Sequence, residues 1–344
     1  VAKELNSVGA RAVIVGPAGR AAFEGVDRAD IPTVEFVIGA GFTPDGGLSL
    51  EELSTDGSAA VVERRPDDVA VLIFTSGTAG LPRAAMLTHG NLYANIRQLL
   101  ASGGDEQQPG DVVFGVLPLF HIFGLNVVLG ASLFVGSAVL LVERFDPVSA
   151  LESIEKWGVT IVSGPPTMWA AWAGVPGVDP STMVSVRLAI SGAAKLPVEV
   201  AQAIEAKFGL TLEEGYGLTE AAPVVTSPQG TEAPPGSIGI PVPGLELRIV
   251  DTEGNDVLVG DSGEVWVRGP NVFAGYWNMP DKTAEALNAD GWLHTGDCGE
   301  IDAELADWWE DFSLGTIEER DALIEAAREA QRAQPRRVPA APRP

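Results

Sequence analysis

The chain has 344 residues, enough for two ordinary domains or one large one with a sizeable core. Its 22 basic and 47 acidic side chains leave a net charge of −25, which sets it against nucleic acid unless a local basic patch intervenes. With 46% hydrophobic and 20% charged residues it is neither a disordered acidic chain nor a fibrous one. A single cysteine, Cys298, excludes an internal disulfide framework and any multi-cysteine zinc site, and it reads as a small buried residue rather than a nucleophile. His89, His121 and His294 lie far apart with no HExxH-type spacing, so no dedicated protein zinc site is expected.

In chain order, the opening residues 1–6 carry Lys3 and Glu4 with no apolar stretch behind them, which argues against a secretory leader and for a cytoplasmic protein. The first residue is Val rather than Met, which suggests a fragment or a processed chain. Residues 10–15 (ARAVIV) end in Gly16-Pro17 and predict a buried strand and a turn. Residues 24–58 are acidic and turn-rich, and 69–74 (VAVLIF) predict a second strand running into a Ser/Thr/Gly loop. Residues 91–102 read as a helix.

No charge occurs between Asp111 and Glu143, a run long enough for a membrane span. Gly115, Pro118, Gly124, Gly130 and Gly136 interrupt it, and His121 and Asn126 sit inside. Strand, loop, helix and strand is therefore the expected order, with peripheral membrane contact left open. Helices at 151–157 and 197–208 alternate with strands at 160–163 and 186–190, which implies a mostly parallel α/β sheet. Near residue 233 the texture changes to short β runs, 245–250 (LELRIV) and 264–269 (EVWVRG), expected to form a small antiparallel or barrel-like subdomain. The division is thus an α/β body over 1–232, a β subdomain over 233–302, and a helical then Pro/Arg-rich tail over 303–344.

The sharpest chemical feature is Thr75-Ser76-Gly77-Thr78-Ala79-Gly80-Leu81-Pro82-Arg83, directly after a predicted strand. Glycines let successive N–H groups point at one anion, Thr75, Ser76 and Thr78 add hydroxyl donors, and Arg83 adds a fixed positive charge. On so acidic a chain, this is where a polyphosphate could bind. An ordinary Gly/Ser/Thr turn is the competing reading, and the pattern is neither GxxxxGK[ST] nor GxGxxG.

This loop resembles the phosphate-binding signature TSG[ST]TGxPKG of the adenylate-forming superfamily, which includes acyl-CoA synthetases, luciferases and the adenylation domains of peptide synthetases. It departs at Ala79, Arg83 and Ala84. Further segments follow in the family's order. Residues 118–124 (PLFHIFG) resemble PLFHxxG, whose His lies beside the carboxylate pocket. Ser191-Gly192-Ala193-Ala194 resembles SGAAPL with Lys195 for Pro. Residues 215–220 (GYGLTE) match GYGxTE, residues 263–265 and 275–277 match later GE[LV] and GY segments, and 291–297 (GWLHTGD) match GWxxTGD.

The resemblance implies an α/β fold, the large domain of adenylate-forming enzymes followed by a small β-barrel-like subdomain. It implies ATP, Mg²⁺ and coenzyme A as cofactors. Nucleotide binding would fall to Thr75, Ser76, Gly77, Thr78, Gly80, Arg83, Gly192, Ala193, Gly215, Tyr216, Gly217, Thr219 and Asp297. Tyr216 would stack on adenine and Asp297 would accept from the two ribose hydroxyls. Glu220 would hold Mg²⁺ together with phosphate oxygens, which suits an ion that keeps few protein ligands. Thr219, Glu220 and His121 would serve catalysis, with a satisfied core histidine as the competing reading of His121.

The implied reaction is attack of a carboxylate on the α-phosphorus of MgATP to give an acyl-adenylate and pyrophosphate, then displacement of AMP by CoA. The PLFHIFG segment looks most like fatty acyl-CoA ligases. Past Asp302 the family's hinge and its small domain with a catalytic lysine find no match, and the last lysine is Lys282. The expectation is weak ATP binding and slow acyl-CoA formation, with marginal stability where apolar edges are left uncovered. A non-catalytic ATP or acyl-adenylate binding fragment, and an adenylation domain loading a carrier protein, are the alternatives.

Overall fold

The computed structural model describes residues 1–54, 57, 60–76, 82–103, 107–231, 233–234 and 236–301, so the tail expected over 303–344 lies outside the described residues. The chain divides into two units, Val1–Arg64 with Phe74–Ala84, and Arg65–Ile73 with Ala85–Pro344.

The first unit runs α1 (Ala2–Ser7), β1 (Ala12–Val15), α2 (Arg20–Glu24), β2 (Phe36–Gly39), β3 (Leu48–Ser49) and α3 (Leu50–Leu53). Its strands pair in parallel in the order β1-β2-β3. The β-branched run at 10–15 supplies β1, and Val15 and Val37 pack with Ile31 and Val34 in a small core. β4 (Val69–Ser76) and β5 (Pro82–Thr88) pair in a two-stranded sheet.

The second unit is built on α4 (His89–Leu100), β6 (Val112–Gly115), α5 (Ala131–Val135), β7 (Ala138–Leu141), α6 (Pro147–Trp157), β8 (Ile161–Gly164), α7 (Pro166–Gly174), β9 (Leu188–Ser191), α8 (Val198–Phe208) and β10 (Glu213–Glu214). Five strands form an all-parallel sheet in the order β10-β9-β8-β6-β7. Their apolar runs lack alternation because both faces are covered, as the expected α/β class requires. On one face Phe114, Val162 and Ala189 pack with Ile154, Trp169, Trp172 and Ile204 of α6, α7 and α8. On the other Val113, Ile161 and Leu188 pack with Val128. Val128 lies in a π-helical segment, Phe123–Gly130, that continues into α5.

The uncharged run after Asp111 therefore folds as β6, a loop, the π-helical segment with α5, and β7, the expected order. No helix among the described residues is long and apolar enough to cross a membrane. Helix starts follow local chemistry. Thr88 and Asn91 form a reciprocal capping box on α4, and Asp146 accepts the Ser149 N–H at 2.9 Å to open α6. Gly158 and Gly209, both left-handed, close α6 and α8.

Smaller antiparallel sheets follow: β11 (Tyr216–Gly217), β12 (Val224–Ser227) and β13 (Ile240–Pro241), then β14 (Glu246–Val250), β15 (Ser262–Arg268) and β16 (Leu293–Glu300). Helix α9 (Pro280–Ala286) lies between β15 and β16 in sequence. The reading of Cys298 as buried is corrected: it is exposed on β16 opposite Glu264. Only the start of that strand turns into the core, at Leu293, and the residues from 296 to 298 face solvent.

Candidate active site

In a parallel sheet the loops after the carboxyl ends of the strands frame the natural ligand crevice. The motif residues of the second unit gather at that end. Gly192 follows β9 and Gly215 follows β10, and the Gly215 N–H donates to the Ser191 carbonyl at 3.3 Å. A Cβ on Gly192 would come within 3.2 Å of the Phe123 ring and 4.0 Å of the Gly215 carbonyl. Three segments that are distant in sequence, PLFHIFG, SGAAKL and GYGLTE, thus meet at one side-chain-free position. Ala193 holds a left-handed φ of 68°, an unusual conformation for a residue with a Cβ, and is exposed.

Tyr216 lies on β11 and donates its phenol to Oδ2 of Asp297 at 2.7 Å, across 81 residues of sequence. Burial and then this carboxylate push the Tyr216 phenol above its usual range, so it remains a protonated donor. Asp297 is itself exposed, and its N–H donates to Thr295 Oγ1 at 3.1 Å. Thr295 in turn donates to the Val265 carbonyl at 2.7 Å. The Gly296 N–H, from a left-handed glycine, donates to Glu264 at 3.1 Å. The TGD turn is therefore pinned to β15, and among the described residues no donor is bonded to Asp297 Oδ1.

Thr219 and Glu220 open a short 3₁₀ turn and are half-buried. Glu220 accepts the Tyr276 phenol on Oε1 at 2.8 Å, and its carbonyl accepts the Phe273 N–H at 2.8 Å. Among the described residues no donor is bonded to Glu220 Oε2. One carboxylate oxygen held and one available fits an ion that takes one or two carboxylates plus phosphate oxygens. Among the described residues no cluster of three His, Cys, Asp or Glu could cage a metal.

The turn behind Glu220 is held by three asparagines that sequence reasoning missed. Asn126 donates to the Ala222 carbonyl at 2.7 Å and Asn271 to the Ala221 carbonyl at 2.8 Å. Asn95 donates to the Val224 carbonyl at 2.8 Å and accepts the Val224 N–H at 3.0 Å. All three are buried. Gly217 is equally constrained: a Cβ there would lie 2.3 Å from the Pro223 carbonyl, the group that accepts the Leu218 N–H. The only advance signal for the asparagines was a polar side chain inside an apolar stretch, visible at Asn126.

His121 is exposed, so the core-histidine alternative falls. The Phe123 N–H donates to His121 Nδ1 at 3.2 Å, so Nδ1 serves as the acceptor of this ring. Glu214 is buried beside this loop and accepts the Leu196 N–H at 2.7 Å, and burial pushes its carboxyl above the usual range. In the first unit, Thr75 and Ser76 end β4 and half-buried Arg83 begins β5. Gly77, Thr78 and Gly80 lie outside the described residues.

Residues 1–277 match the family of AMP-binding enzymes. The chain is 40% identical over 274 residues to 4-coumarate–CoA ligase 2 of Nicotiana tabacum, covering 75% of this chain and 50% of that protein. It is 40% identical over 239 residues to a long-chain-fatty-acid–CoA ligase of Bacillus subtilis strain 168, covering 69% and 42%. Among solved structures it is similar to apo MatB from Rhodopseudomonas palustris, with 32% identity, a TM-score of 0.77, and coverage of 88% of this chain and 59% of that one. It is also similar to the anthranilate CoA ligase AuaEII in complex with anthranoyl-AMP, with 27% identity, a TM-score of 0.81 and the same coverage. The chain spans about half the length of the curated relatives it matches.

Proposed function

Because the chain belongs to the AMP-binding enzyme family, we propose that it forms the nucleotide-binding part of an ATP-dependent acid–CoA ligase, which activates a carboxylic acid as its adenylate and passes the acyl group to coenzyme A. The observation that carries the reading is the Tyr216–Asp297 pair. An aromatic ring beside an aimed, exposed carboxylate suits a nucleoside, with the ring against adenine and Asp297 accepting from the ribose hydroxyls.

Gly192, Gly215 and Gly217 keep that surface free of side chains and Ala193 adds only a methyl, so backbone can approach the base. Thr219 and Glu220 face the phosphates, with Glu220 holding Mg²⁺. The metal would supply charge neutralisation at the phosphates. Thr75, Ser76, Gly77, Thr78, Gly80 and Arg83 bind phosphate through N–H groups, hydroxyls and one guanidinium. His121 orients the incoming carboxylate through its Nε2 side. The acid is proposed to be fatty, in keeping with the apolar face that β6, β8 and β9 present toward the π-helical segment. The protein acts in the cytoplasm.

AMP titrated calorimetrically into the chain tests this. Binding is expected, and Asp297→Ala is expected to weaken it at least tenfold while circular dichroism stays unchanged. Equal affinity in wild type and variant overturns the reading.

A further inference from the structure

The face of the parallel sheet that packs on the π-helical segment is not completely filled. A cavity of about 30 Å³ lies among Val113, Ile161, Leu188 and Ile190 of the sheet, with Val127 and Leu99 on the opposite side. Space of that size holds about two waters, or the last few heavy atoms of a longer ligand.

Its polar lining is unusual. Ser163 is 2% exposed and Gln229 is 7% exposed, and both border the cavity. Among the described residues neither the Ser163 hydroxyl nor the Gln229 side-chain amide has a hydrogen-bond partner, although buried polar groups normally have one. Gln107 also borders the space, but its amide already donates to Ser132 and Ser137. One hydroxyl and one amide without a bonded partner among the described residues, with the bonded Gln107 amide beside them, therefore border a space lined elsewhere by apolar side chains.

The cavity is aligned with the proposed adenylate site. Leu188, Ile190 and Gly192 occupy alternate positions along one run of chain and share a face. Gly192 meets Phe123 at the upper end of that face, and Leu188 and Ile190 line the cavity below. At the usual rise Ser163, the register partner of Ile190, lies about 7 Å along the strands from Gly192, and Leu188 about 13 Å. An acid with its carboxyl at the Gly192 end and its body along this face would bring its far end to Ser163 and Gln229.

We infer that this cavity seats the distal tip of the acid and that Ser163 and Gln229 select a tip bearing a hydroxyl or carbonyl oxygen over plain hydrocarbon. The inference rests on the proposed adenylating function and narrows its substrate class to acids with an apolar body and a polar far end. A hydroxyl tip can donate to the Gln229 carbonyl oxygen and accept from Ser163, whereas a methyl tip leaves both buried groups unpaired, which is the costlier outcome.

The test uses the chain as it stands. Acyl sulfamoyladenosines of matched length, butanoyl to dodecanoyl, plain and ω-hydroxylated, are titrated calorimetrically beside AMP. At the best-fitting length the ω-hydroxy compound is expected to bind about three- to tenfold more tightly. Ser163→Ala with Gln229→Leu is expected to abolish or reverse that preference while AMP affinity is retained. A plain compound that binds as well as its ω-hydroxy partner at every length overturns the inference, and so does a preference that survives the double substitution.

The nucleotide reading is separable. Trp169 Nε1 donates to the Ile190 carbonyl at 3.2 Å, so indole fluorescence reports on this strand. The free plain and ω-hydroxy acids, titrated by fluorescence, probe the cavity without AMP. If AMP fails to bind but the free ω-hydroxy acid is still preferred, the tip assignment is supported and the nucleotide assignment is lost. If AMP binds and neither titration discriminates, the tip assignment is lost alone.

Discussion

The two edges of the central parallel sheet hold their carboxylates in opposite ways. At the amino edge, Asp111 precedes β6 and is saturated. Arg187 donates to it twice, at 2.9 and 2.5 Å, Thr160 donates at 2.8 Å, and the Gln108 N–H donates at 2.6 Å. At the carboxyl edge, Glu214 takes one N–H and Glu220 one phenol, and the wholly buried Ser191 hydroxyl has no partner. One edge is closed on itself and ties three strand starts together. The other leaves acceptors and a hydroxyl unmatched, which is the condition for meeting a ligand. Stability and function therefore separate along the strands, within the same five elements.

The largest expected effect strikes the closed edge. Asp111→Ala leaves Arg187, Thr160 and the Gln108 N–H without their shared acceptor, and removing one partner of a buried pair costs about 3 kcal/mol or more. Because the Arg187 side chain is 30% exposed, the loss is expected at the lower end of that range. Chemical denaturation measures it, and a loss under 1 kcal/mol would erase the contrast between the edges. The pH dependence follows the same group. Burial alone would raise the Asp111 carboxyl, but the Arg187, Gln108 and Thr160 hydrogen bonds outweigh it and hold it below its ordinary value. A depressed carboxyl contributes its stability fully above the unfolded value of about 3.9 and loses it as pH falls through the lower folded value. Wild type should therefore lose stability more steeply than Asp111→Asn on acidification below about pH 4.

Next in size is Gly217→Ala at the open edge. The new methyl would lie 2.3 Å from the Pro223 carbonyl, so backbone must move, at a cost of about 1–3 kcal/mol. The displaced element is the turn that carries Thr219 and Glu220, so AMP affinity should fall together with the melting temperature. A melt unchanged from wild type would mean that the turn is less tightly built than its three asparagine bonds imply.

These residues also mark what the sequence could disclose. The apolar runs at 112–115 and 186–190 disclosed the parallel sheet, because strands covered on both faces lose their alternation. Helix α7 escaped notice because PTMWAAWAG is apolar all round and has no period to detect. The Tyr216 and Asp297 roles were legible only through motif resemblance, since nothing local relates positions 81 residues apart. The Tyr276–Glu220 bond and the Asp111–Arg187 clamp, spanning 56 and 76 residues, had no local signal at all. Cys298 misled because its residue type predicts burial, whereas its position on the outer half of a strand decides otherwise.

The smallest expected stability change is the most informative about the open edge. Tyr216→Phe removes only the phenol oxygen, whose partner Asp297 stays in water, so the stability change should stay within about 1 kcal/mol. The ring that would face adenine is retained. If Asp297 must be aimed to bind a ribose, losing the phenol that holds Oδ2 should weaken AMP severalfold despite the near-unchanged fold. In the Asp297→Ala background the same substitution should cost nothing further, because there is no carboxylate left to aim. Additive losses in the double variant would mean that the phenol contacts the nucleotide directly, and the role of Tyr216 would shift from positioning Asp297 to binding.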